Sequence, residues 1–340
     1  MVIPLFVFHI DAAAGTLNES ESNDLSTKAN LTYDDYDNFG SVNSSDTVDW
    51  WKITFTSSGM ANFWLGNITA DHNIDLYLYK SDRTTQIVQS KRTSNRAEQI
   101  RCHVNAATYY IKIEYNSGSA TASYKLRIKN YANRNSSFIS FDNSIQSGSG
   151  EHTTIYNLCE TYYTQLGYNY YPQDIVNNVI AHVYNTFPDK DIIVILNEGS
   201  NDGVMPFANG TNLYALSNSA MTSADRALSD FTGNALSETE LIIFAGPNTA
   251  GNSTTYGSLV NQAWTEGAYA AIGWMTDVSL NDLQIWLPCF FDYCNNRTVY
   301  SALEATNAYM ETINVDNLYF VTYQDWGSSR LTSLVLDRYY

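Results

Sequence analysis

Two short stretches near the amino terminus concentrate side chains that could bind a cation. Every residue of the run Glu19–Asp24 carries a carboxylate, hydroxyl or amide group, and Asp46 and Asp49 add two carboxylates three residues apart. Hard cations such as Ca²⁺ take about six to eight oxygen ligands, which one very short loop rarely supplies. Two converging loops can supply them, so the pattern predicts a calcium site. The alternative is a solvated acidic linker in which Asp49 caps a turn.

A second set of polar residues follows two apolar runs in the other half of the chain. Residues 192–196 lead into Asn-Glu-Gly-Ser, which contains Glu198, and residues 241–245 lead into Gly-Pro-Asn-Thr, which contains Pro247. Runs that are apolar on both faces are typical of central parallel strands. Because ligands reach such sheets at the carboxyl ends of the strands, these loops predict a cleft.

The elements that must position the acidic residues are β-strands. Four segments between 18 and 130 alternate or cluster β-forming residues between turns rich in Asn, Ser and Gly: Asp49–Phe55, Ala61–Leu65, Asp75–Tyr79 and Thr108–Tyr115. Short strands separated in this way indicate an antiparallel β-sandwich.

After residue 150 the periodicity becomes helical. Helices are predicted over 152–166, 172–186, 222–231, 256–266, 280–294 (broken or kinked at Pro288) and 299–313. Strands are predicted over 138–141, 191–196, 241–245, 268–274 and 318–322. This alternation favours an α/β domain whose mainly parallel sheet is covered by helices on both faces. We place the domain boundary near Ala132, which divides the chain into 1–17, 18–131 and 132–340.

The first predicted domain resembles the bacterial pre-peptidase C-terminal (PPC) domain. The resemblance is carried by the acidic stretches, by Asn73–Tyr79, by Ala106–Ile111 and by Ser123–Leu126. It implies calcium binding, and matching the motif position by position implies the ligands Glu19, Glu21, Asn23, Asp24, Asp46 and Asp49, with the carbonyl of Trp50 as a further candidate. Calcium in this place is expected to be structural.

Some PPC domains bind collagen or carbohydrate through a tyrosine-rich face. Tyr77 and Tyr79 project to one side of a predicted strand, and Tyr110 is a candidate to join them. Aromatic pairs on sandwiches more often pack against one another across strands, so packing is the preferred interpretation.

The second predicted domain resembles caspase-like cysteine peptidases, the group that includes gingipains, clostripain and CHAT domains. Their two strand-end loops carry the catalytic histidine and cysteine, whose positions are Glu198 and Pro247 here. Proline offers neither a thiol nor a backbone N–H for an oxyanion hole. The resemblance therefore implies a pseudopeptidase with no catalytic residues. The alternative is a hydrolase with relocated groups around Glu198, with Ser200, Asn248 and Thr249 as neighbours.

Composition narrows the partners and the location. The 35 acidic residues outnumber the 18 basic ones, which argues against nucleic acid and anionic membranes as partners. The four cysteines show no metal-binding spacing and are expected to be small core residues. The apolar start, Met1–Phe8, is read as the remnant of a signal peptide or as an edge strand, and it is too short to span a bilayer.

These features predict a secreted or cell-surface, calcium-binding, non-catalytic protein. Its expected partner is a peptide, a protein or an extracellular polymer held in the old substrate cleft. In a further alternative, the sandwich anchors to a matrix and the α/β domain is a scaffold.

Overall fold

The computed structural model describes residues 13–131, 135–140, 151–174, 180, 184–196, 203–207, 210–295, 297–313, 320–323 and 332–336. The apolar start and the loop that contains Glu198 and Ser200 lie outside the described residues. The chain divides into two compact units, 1–100 with 106–131, and 101–105 with 132–340.

The first unit contains a β-sandwich. One sheet holds, in spatial order, β1 (Gly15–Asn18), β3 (Tyr36–Val42), β10 (Ala122–Tyr131), β5 (Gly59–Gly66) and β8 (Glu98–Val104), of which residues 98–100 belong to this unit. The other holds β2 (Asn30–Leu31), β4 (Val48–Thr54), β9 (Thr108–Ser117), β6 (Asn73–Tyr79) and β7 (Gln86–Ser90). Two short strands pair in parallel: β1 with β3, and β2 with β4. In the first sheet, β10 pairs antiparallel with β3 on one side and with β5 on the other. In the second sheet, β4 with β9, β9 with β6, and β6 with β7 are antiparallel pairs.

Burial alternates from residue to residue along the strands, and the buried side chains form the core of the sandwich. In β4, Asp49, Trp51 and Ile53 are buried while Trp50 and Lys52 are only half-buried. Trp51 is fully buried, and its indole Nε1 donates to the Tyr124 hydroxyl on β10 at 3.0 Å, which joins the two sheets through the interior. The predicted strands of this region are therefore confirmed, and Asp49 points inward with the core.

The second unit is built on a six-stranded, mostly parallel sheet. Its spatial order is β12 (Asn169–Asp174), β11 (Asn135–Ser140), β13 (Ile192–Leu196), β17 (Leu241–Ala245), β18 (Ala270–Trp274) and β19 (Phe320–Tyr323). Only the last pair, β18 with β19, is antiparallel. Every residue of β13, β17 and β18 is buried, as continuous apolar runs require.

Four α-helices are present among the described residues: α1 (Glu151–Gln165), α2 (Leu259–Thr265), α3 (Leu280–Tyr293) and α4 (Val299–Thr312). The Thr298 side chain caps α4 by accepting from the amide of Ser301, as predicted. Helix α3 begins with a capping box between Ser279 and Asp282 and continues through Pro288 without a break. None of the helices in the described ranges combines the length and the apolar character needed to cross a membrane.

Smaller elements complete the second unit. Strands β14 (Val204–Pro206), β15 (Asn212–Tyr214) and β16 (Arg226–Ala227) form a three-stranded sheet, and β20 (Leu334–Val335) pairs with Arg101 and Cys102. All four cysteines are free thiols; three are buried and Cys289 is half-buried.

Of the predicted helices, the one over 222–231 is wrong, and the one over 172–186 starts too early, since its first residues form a strand whereas Ile180 and Tyr184 are helical. The segment predicted as a helix over 222–231 forms β16 and a 3₁₀ turn, because the Asp225 carboxylate accepts from the amides of Asn212 and Thr222 and holds the chain in a turn. The helix predicted to start at Pro172 begins instead as strand β12, whose pairing with β11 overrides the local helical spacing.

Candidate metal centre

The predicted calcium ligands come from two segments of the first unit, the run Glu19–Asp24 and the segment Asp46–Asp49. Glu19 directly follows β1, and its amide donates to the Phe39 carbonyl at 2.9 Å. Asp46 lies in the turn before β4, and Asp49 lies on β4 itself. The amide of Trp50 donates to the Asn23 carbonyl at 3.1 Å and thereby ties the acidic loop to β4.

The fold brings the five predicted carboxylates together. Glu19, Glu21 and Asp49 each place a carboxylate oxygen within 4.8 Å of the others, and Glu21, Asp24 and Asp46 do the same. Glu21 belongs to both groups, so the carboxylates form one continuous cluster. The burial is graded: Asp49 is fully buried, Glu19 and Asp46 are half-buried, and Glu21 and Asp24 are exposed.

Asn23 occupies the centre of this cluster and is fully buried. In one orientation, its amide nitrogen donates to Glu21 Oε2 at 3.1 Å and Asp49 Oδ1 at 3.0 Å, while its oxygen accepts from Asn30 at 2.7 Å. Rotation of the amide by half a turn would instead direct its oxygen at the two carboxylates. Asn23 can therefore bridge the carboxylates by itself or join them as a cation ligand.

Groups around the cluster hold Glu19 and Asp49 in place. Ser41 donates to Glu19 Oε1 from its amide at 2.6 Å and from its hydroxyl at 3.2 Å. The Tyr124 hydroxyl lies 2.6 Å from Asp49 Oδ2 and 3.2 Å from Glu19 Oε2, so its one proton can be donated to either. A Cβ on Gly40 would lie 2.2 Å from the Tyr124 hydroxyl and 2.4 Å from Glu19 Oε2, so only glycine fits there.

The cluster carries negative charge without a local positive partner. No Lys, Arg or His among the described residues lies within 4.0 Å of any of the five carboxylates. Burial, opposed in part by the hydrogen bond from Tyr124, raises the pKa of Asp49 to about 9, and the Glu19 charge adds to this. Burial and the neighbouring Asp24 and Glu21 raise the pKa of Asp46 to about 6. Burial and Glu19 also raise the pKa of Glu21.

This donor set fits a hard cation. All the side-chain donors are oxygens from two converging segments, which is the chemistry that calcium prefers. Asp46 Oδ1 is buried and accepts no hydrogen bond, so it has a lone pair available for a ligand bond. A divalent ion would compensate the charge repulsion that, together with burial, raises the pKa values of Asp49, Asp46 and Glu21. Glu19, Glu21, Asp24, Asp46 and Asp49 could hold it, with Asn23 as a sixth oxygen donor.

The strand-end loop of the second unit has a different character. Pro247 lies two residues beyond β17 and is half-buried. Thr249 is fully buried, and its hydroxyl lies 2.7 Å from the Phe244 carbonyl and 2.9 Å from the Gly246 carbonyl, while it accepts from the Trp274 amide at 3.1 Å. Its hydroxyl therefore bonds to backbone groups. Asn248 donates to the Asp277 carboxylate at 2.9 Å.

Several residues that shape the metal centre were not found from the sequence. The sequence pattern includes Tyr124 only as part of a closing strand, and it does not indicate Ser41, Gly40 or Asn30. Gly40, between Phe39 and Ser41 on β3, is a signal that could have suggested a close approach to a strand. The partners on β3 and β10 are separated from the acidic loop by many residues, so spacing alone does not reveal them.

Comparisons with known proteins show only weak structural similarity to solved structures. No family model matches the chain, and no curated protein matches it. Among solved structures, it is similar to the pre-peptidase C-terminal domain of a collagenase from Bacillus anthracis, with 17% identity over 30% of this chain and 94% of that one, at a TM-score of 0.27.

Two β-glucosidases are further structural neighbours. The enzyme from Paenibacillus barengoltzii is 11% identical, with 37% of this chain and 14% of that chain covered, at a TM-score of 0.20. The enzyme from Kluyveromyces marxianus is 13% identical, with 61% and 20% covered, at a TM-score of 0.20. The chain thus spans a small part of either glucosidase, and likenesses of this size do not define its function.

Proposed function

We propose that the first unit is a PPC-type sandwich that binds calcium as a structural ion. The observation that carries this proposal is the convergence of five carboxylates with no positive side chain within ion-pair distance among the described residues. Buried charges in proteins are normally paired or bound to a metal, because an uncompensated charge costs several kcal/mol to bury. The motif resemblance selects calcium from the hard cations.

Calcium is expected to act on stability because it binds the folded cluster and has no comparable site in the unfolded chain. A ligand present at a hundred times its dissociation constant stabilises a fold by about 2.7 kcal/mol. Modules that work outside cells can use calcium sites of modest affinity, with dissociation constants of roughly 10⁻⁴–10⁻³ M. A secreted or cell-surface location is part of the proposal for this reason.

Thermal unfolding of the full chain tests the calcium proposal. We expect the melting temperature to fall on addition of EDTA and to recover with excess CaCl₂, with a smaller recovery in MgCl₂ because Mg²⁺ demands stricter geometry. Asp46→Asn should reduce the calcium-dependent shift. Asp71→Asn is the matched control, since Asp71 is an exposed aspartate of the same unit with a positive φ of 62° that asparagine also adopts. Equal melting temperatures in EDTA and in calcium would sink the proposal.

For the second unit we propose a caspase-like scaffold that has lost its cysteine–histidine pair. Two observations support this: β13 and β17 are adjacent parallel strands, and Pro247 stands just beyond β17 where the family carries its nucleophile. Such a unit would bind a peptide, a protein or an extracellular polymer without cutting it. The relocated-hydrolase alternative depends on Glu198, and Thr249, the buried hydroxyl of this loop, already bonds to the backbone.

A double reversion tests the scaffold proposal. We expect the unaltered chain to show no turnover of a panel of fluorogenic peptides and ester substrates. Glu198→His combined with Pro247→Cys should create a thiol that reacts with chloromethyl ketone or epoxide peptide probes, whereas Pro247→Cys alone should react more slowly because its thiolate lacks a base. Hydrolysis by the unaltered chain, lost in Glu198→Gln, would instead support the relocated hydrolase.

A further inference from the structure

A polar cavity opens on the outward face of the sheet that contains β6 and β9, away from the acidic cluster in sequence. Its volume is about 420 Å³, and its lining includes Asp75 and Tyr77 from β6, Lys91 and Arg92 from the segment after β7, and Glu114 from β9. All of these residues belong to the first unit. The size is in the range of small-molecule binding sites.

The base of this cavity holds a buried carboxylate without an ion-pair partner. Asp75 is 4% exposed, and its Oδ1 accepts no hydrogen bond. The other oxygen, Oδ2, has a single long contact of 3.5 Å with the Tyr77 hydroxyl. No Lys or Arg nitrogen in the described part of the chain lies within 4.0 Å of Asp75. Such a charge is costly unless a ligand or a proton compensates it.

A second carboxylate stands beside Asp75. Glu114 is the direct cross-strand partner of Asp75 in the β6–β9 register, and it forms an ion pair with Lys112 at 2.7 Å. Carboxylates placed opposite each other on one face of a sheet repel, which favours a cation between them. Burial and Glu114 both raise the pKa of Asp75, although the charge of Lys91 opposes them.

Positive charge lies over Tyr77, near these carboxylates. The ammonium groups of Lys91 and Lys112 each lie 4.9 Å from the centre of the Tyr77 ring. Lys112 is already paired with Glu114, whereas Lys91 is exposed and has no acceptor within hydrogen-bond distance among the described residues. The lining of the cavity therefore includes a buried acceptor without a hydrogen bond, Asp75 Oδ1, and an exposed ammonium without a protein acceptor, Lys91 Nζ.

We propose that this cavity binds a free α-amino group with its adjacent carbonyl, as found at the amino-terminal end of a peptide. The ligand ammonium donates to Asp75 Oδ1, and its first carbonyl accepts from Lys91 Nζ. Capture of a chain terminus is a known mode of peptide recognition, and here a buried carboxylate and a lysine would provide it.

The charges of the cavity disfavour the other ligand classes. A simple anion would meet the buried Asp75 carboxylate, and a simple cation would meet Lys91 and Lys112. A neutral polyol would donate to Asp75 but leave its charge without compensation. A ligand with an ammonium beside a carbonyl offers a partner to both Asp75 and Lys91 at once.

Calorimetric titration of the full chain in calcium-containing buffer tests the proposal. The probe is glycylglycine amide, and the blocked probe is N-acetyl-glycylglycine amide. We expect saturable binding of the free dipeptide amide, and binding of the acetylated form weaker by at least about tenfold, because acetylation removes the charge that Asp75 compensates. Asp75→Asn should weaken binding of the free amide by a similar factor, and Lys91→Met should weaken it less.

Stability separates a binding role of Asp75 from a structural one. Because an unpaired buried carboxylate is costly, Asp75→Asn should keep or raise the melting temperature while it removes binding. Asp71→Asn, which removes an exposed charge from the same unit, should leave binding unchanged.

Four results would overturn the proposal. These are equal binding of the free and acetylated amides, unchanged binding in Asp75→Asn, a lower melting temperature of Asp75→Asn, and no saturable binding of the free amide up to about 10 mM. Binding of glucose that depends on Asp75, without binding of the dipeptide amide, would replace the peptide terminus with a neutral polyol.

Discussion

The acidic cluster of the first unit and the strand-end loop of the second differ in how their polar groups are satisfied. In the cluster, Asp46 Oδ1 has no donor, and no positive side chain in the described part of the chain lies within 4.0 Å of the five carboxylates. In the loop after β17, the Thr249 hydroxyl contacts two carbonyls and accepts from one amide. The carboxylates of the cluster therefore need a cation or protons to compensate their charge, whereas the Thr249 hydroxyl already has its hydrogen-bond partners in the backbone.

This difference indicates where function is to be sought. Unsatisfied buried polar groups cost free energy, so each of them calls for an explanation such as a ligand, an ion or an ordered water molecule. Saturated groups stabilise the loop but have no lone pair or proton left for a substrate. The same criterion leads to the Asp75 cavity, where the buried Asp75 Oδ1 accepts no hydrogen bond.

The largest effect is expected for Gly40→Ala. Its Cβ would overlap the Tyr124 hydroxyl and the Glu19 carboxylate, which must both move. We expect loss of the calcium-dependent shift in melting temperature, together with a destabilisation of about 1–3 kcal/mol from overpacking. Thermal unfolding with EDTA and with calcium measures both. A normal calcium response in this variant would show that Glu19 is not a ligand.

A change at Tyr124 tests the support of the cluster without altering a ligand. Tyr124→Phe removes the hydroxyl that lies 2.6 Å from Asp49 Oδ2 but keeps the buried ring. Outer-shell partners of metal ligands typically contribute about 10–100-fold to affinity, and we expect calcium to bind more weakly by such a factor. Isothermal titration calorimetry with calcium measures the dissociation constant. Tyr109→Phe is the control, because Tyr109 is a buried tyrosine of β9 in the same unit.

Thr249→Val tests the strand-end loop of the second unit, whose buried hydroxyl bonds to the backbone. The variant keeps the shape but removes the hydroxyl that accepts from the Trp274 amide, so a buried N–H loses its partner. We expect a destabilisation of about 1–3 kcal/mol, measured by denaturant unfolding. The loss should be the same in EDTA and in calcium. Thr249→Ser, which retains the hydroxyl, should lose less.

The sign of the pH dependence of stability follows from the pKa values of the cluster. Burial raises the pKa of Asp49 to about 9 and that of Asp46 to about 6, above the value of about 3.9 in the unfolded chain. Because the folded state binds these protons more tightly, their stabilising contribution is complete below about pH 4 and is lost as the pH rises through 6 and then 9. The melting temperature in EDTA should therefore fall as the pH rises.

Calcium competes with the same protons, so the calcium-induced rise in melting temperature should grow with pH. Melting curves at about pH 5, 7 and 9, with EDTA and with calcium, measure both trends. In Asp46→Asn, the step near pH 6 should disappear. A calcium shift of equal size at all three pH values would contradict protonation of the cluster.

Local patterns predicted several elements well, and their physical basis is local. The alternation around Trp51 is that of a half-buried strand, and helix α4 begins at the predicted cap, Thr298. The segment around Asp225 shows the limit. Its composition suits a helix, but the Asp225 side chain bonds to an amide ten or more residues away, and this contact decides the turn.

The candidate site divides in the same way. Type and spacing in the sequence were enough to select all six candidate ligands, since oxygen-rich side chains in two short segments are a local property. The sequence did not indicate that Tyr124 and Ser41 hold two of them, nor that Gly40 leaves room for the cluster.

The sequence by itself determined the inventory of this protein: the acidic segments, most of the strands and helices, and the proline where a nucleophile was expected. Only the tertiary structure decided which polar groups are satisfied. Asp49, Asp75 and Thr249 are all buried polar residues on or next to strands, yet they differ in their partners. That difference arises from residues far apart in the chain, because hydrogen bonds and charge compensation depend on distances of a few ångströms that the order of residues does not specify.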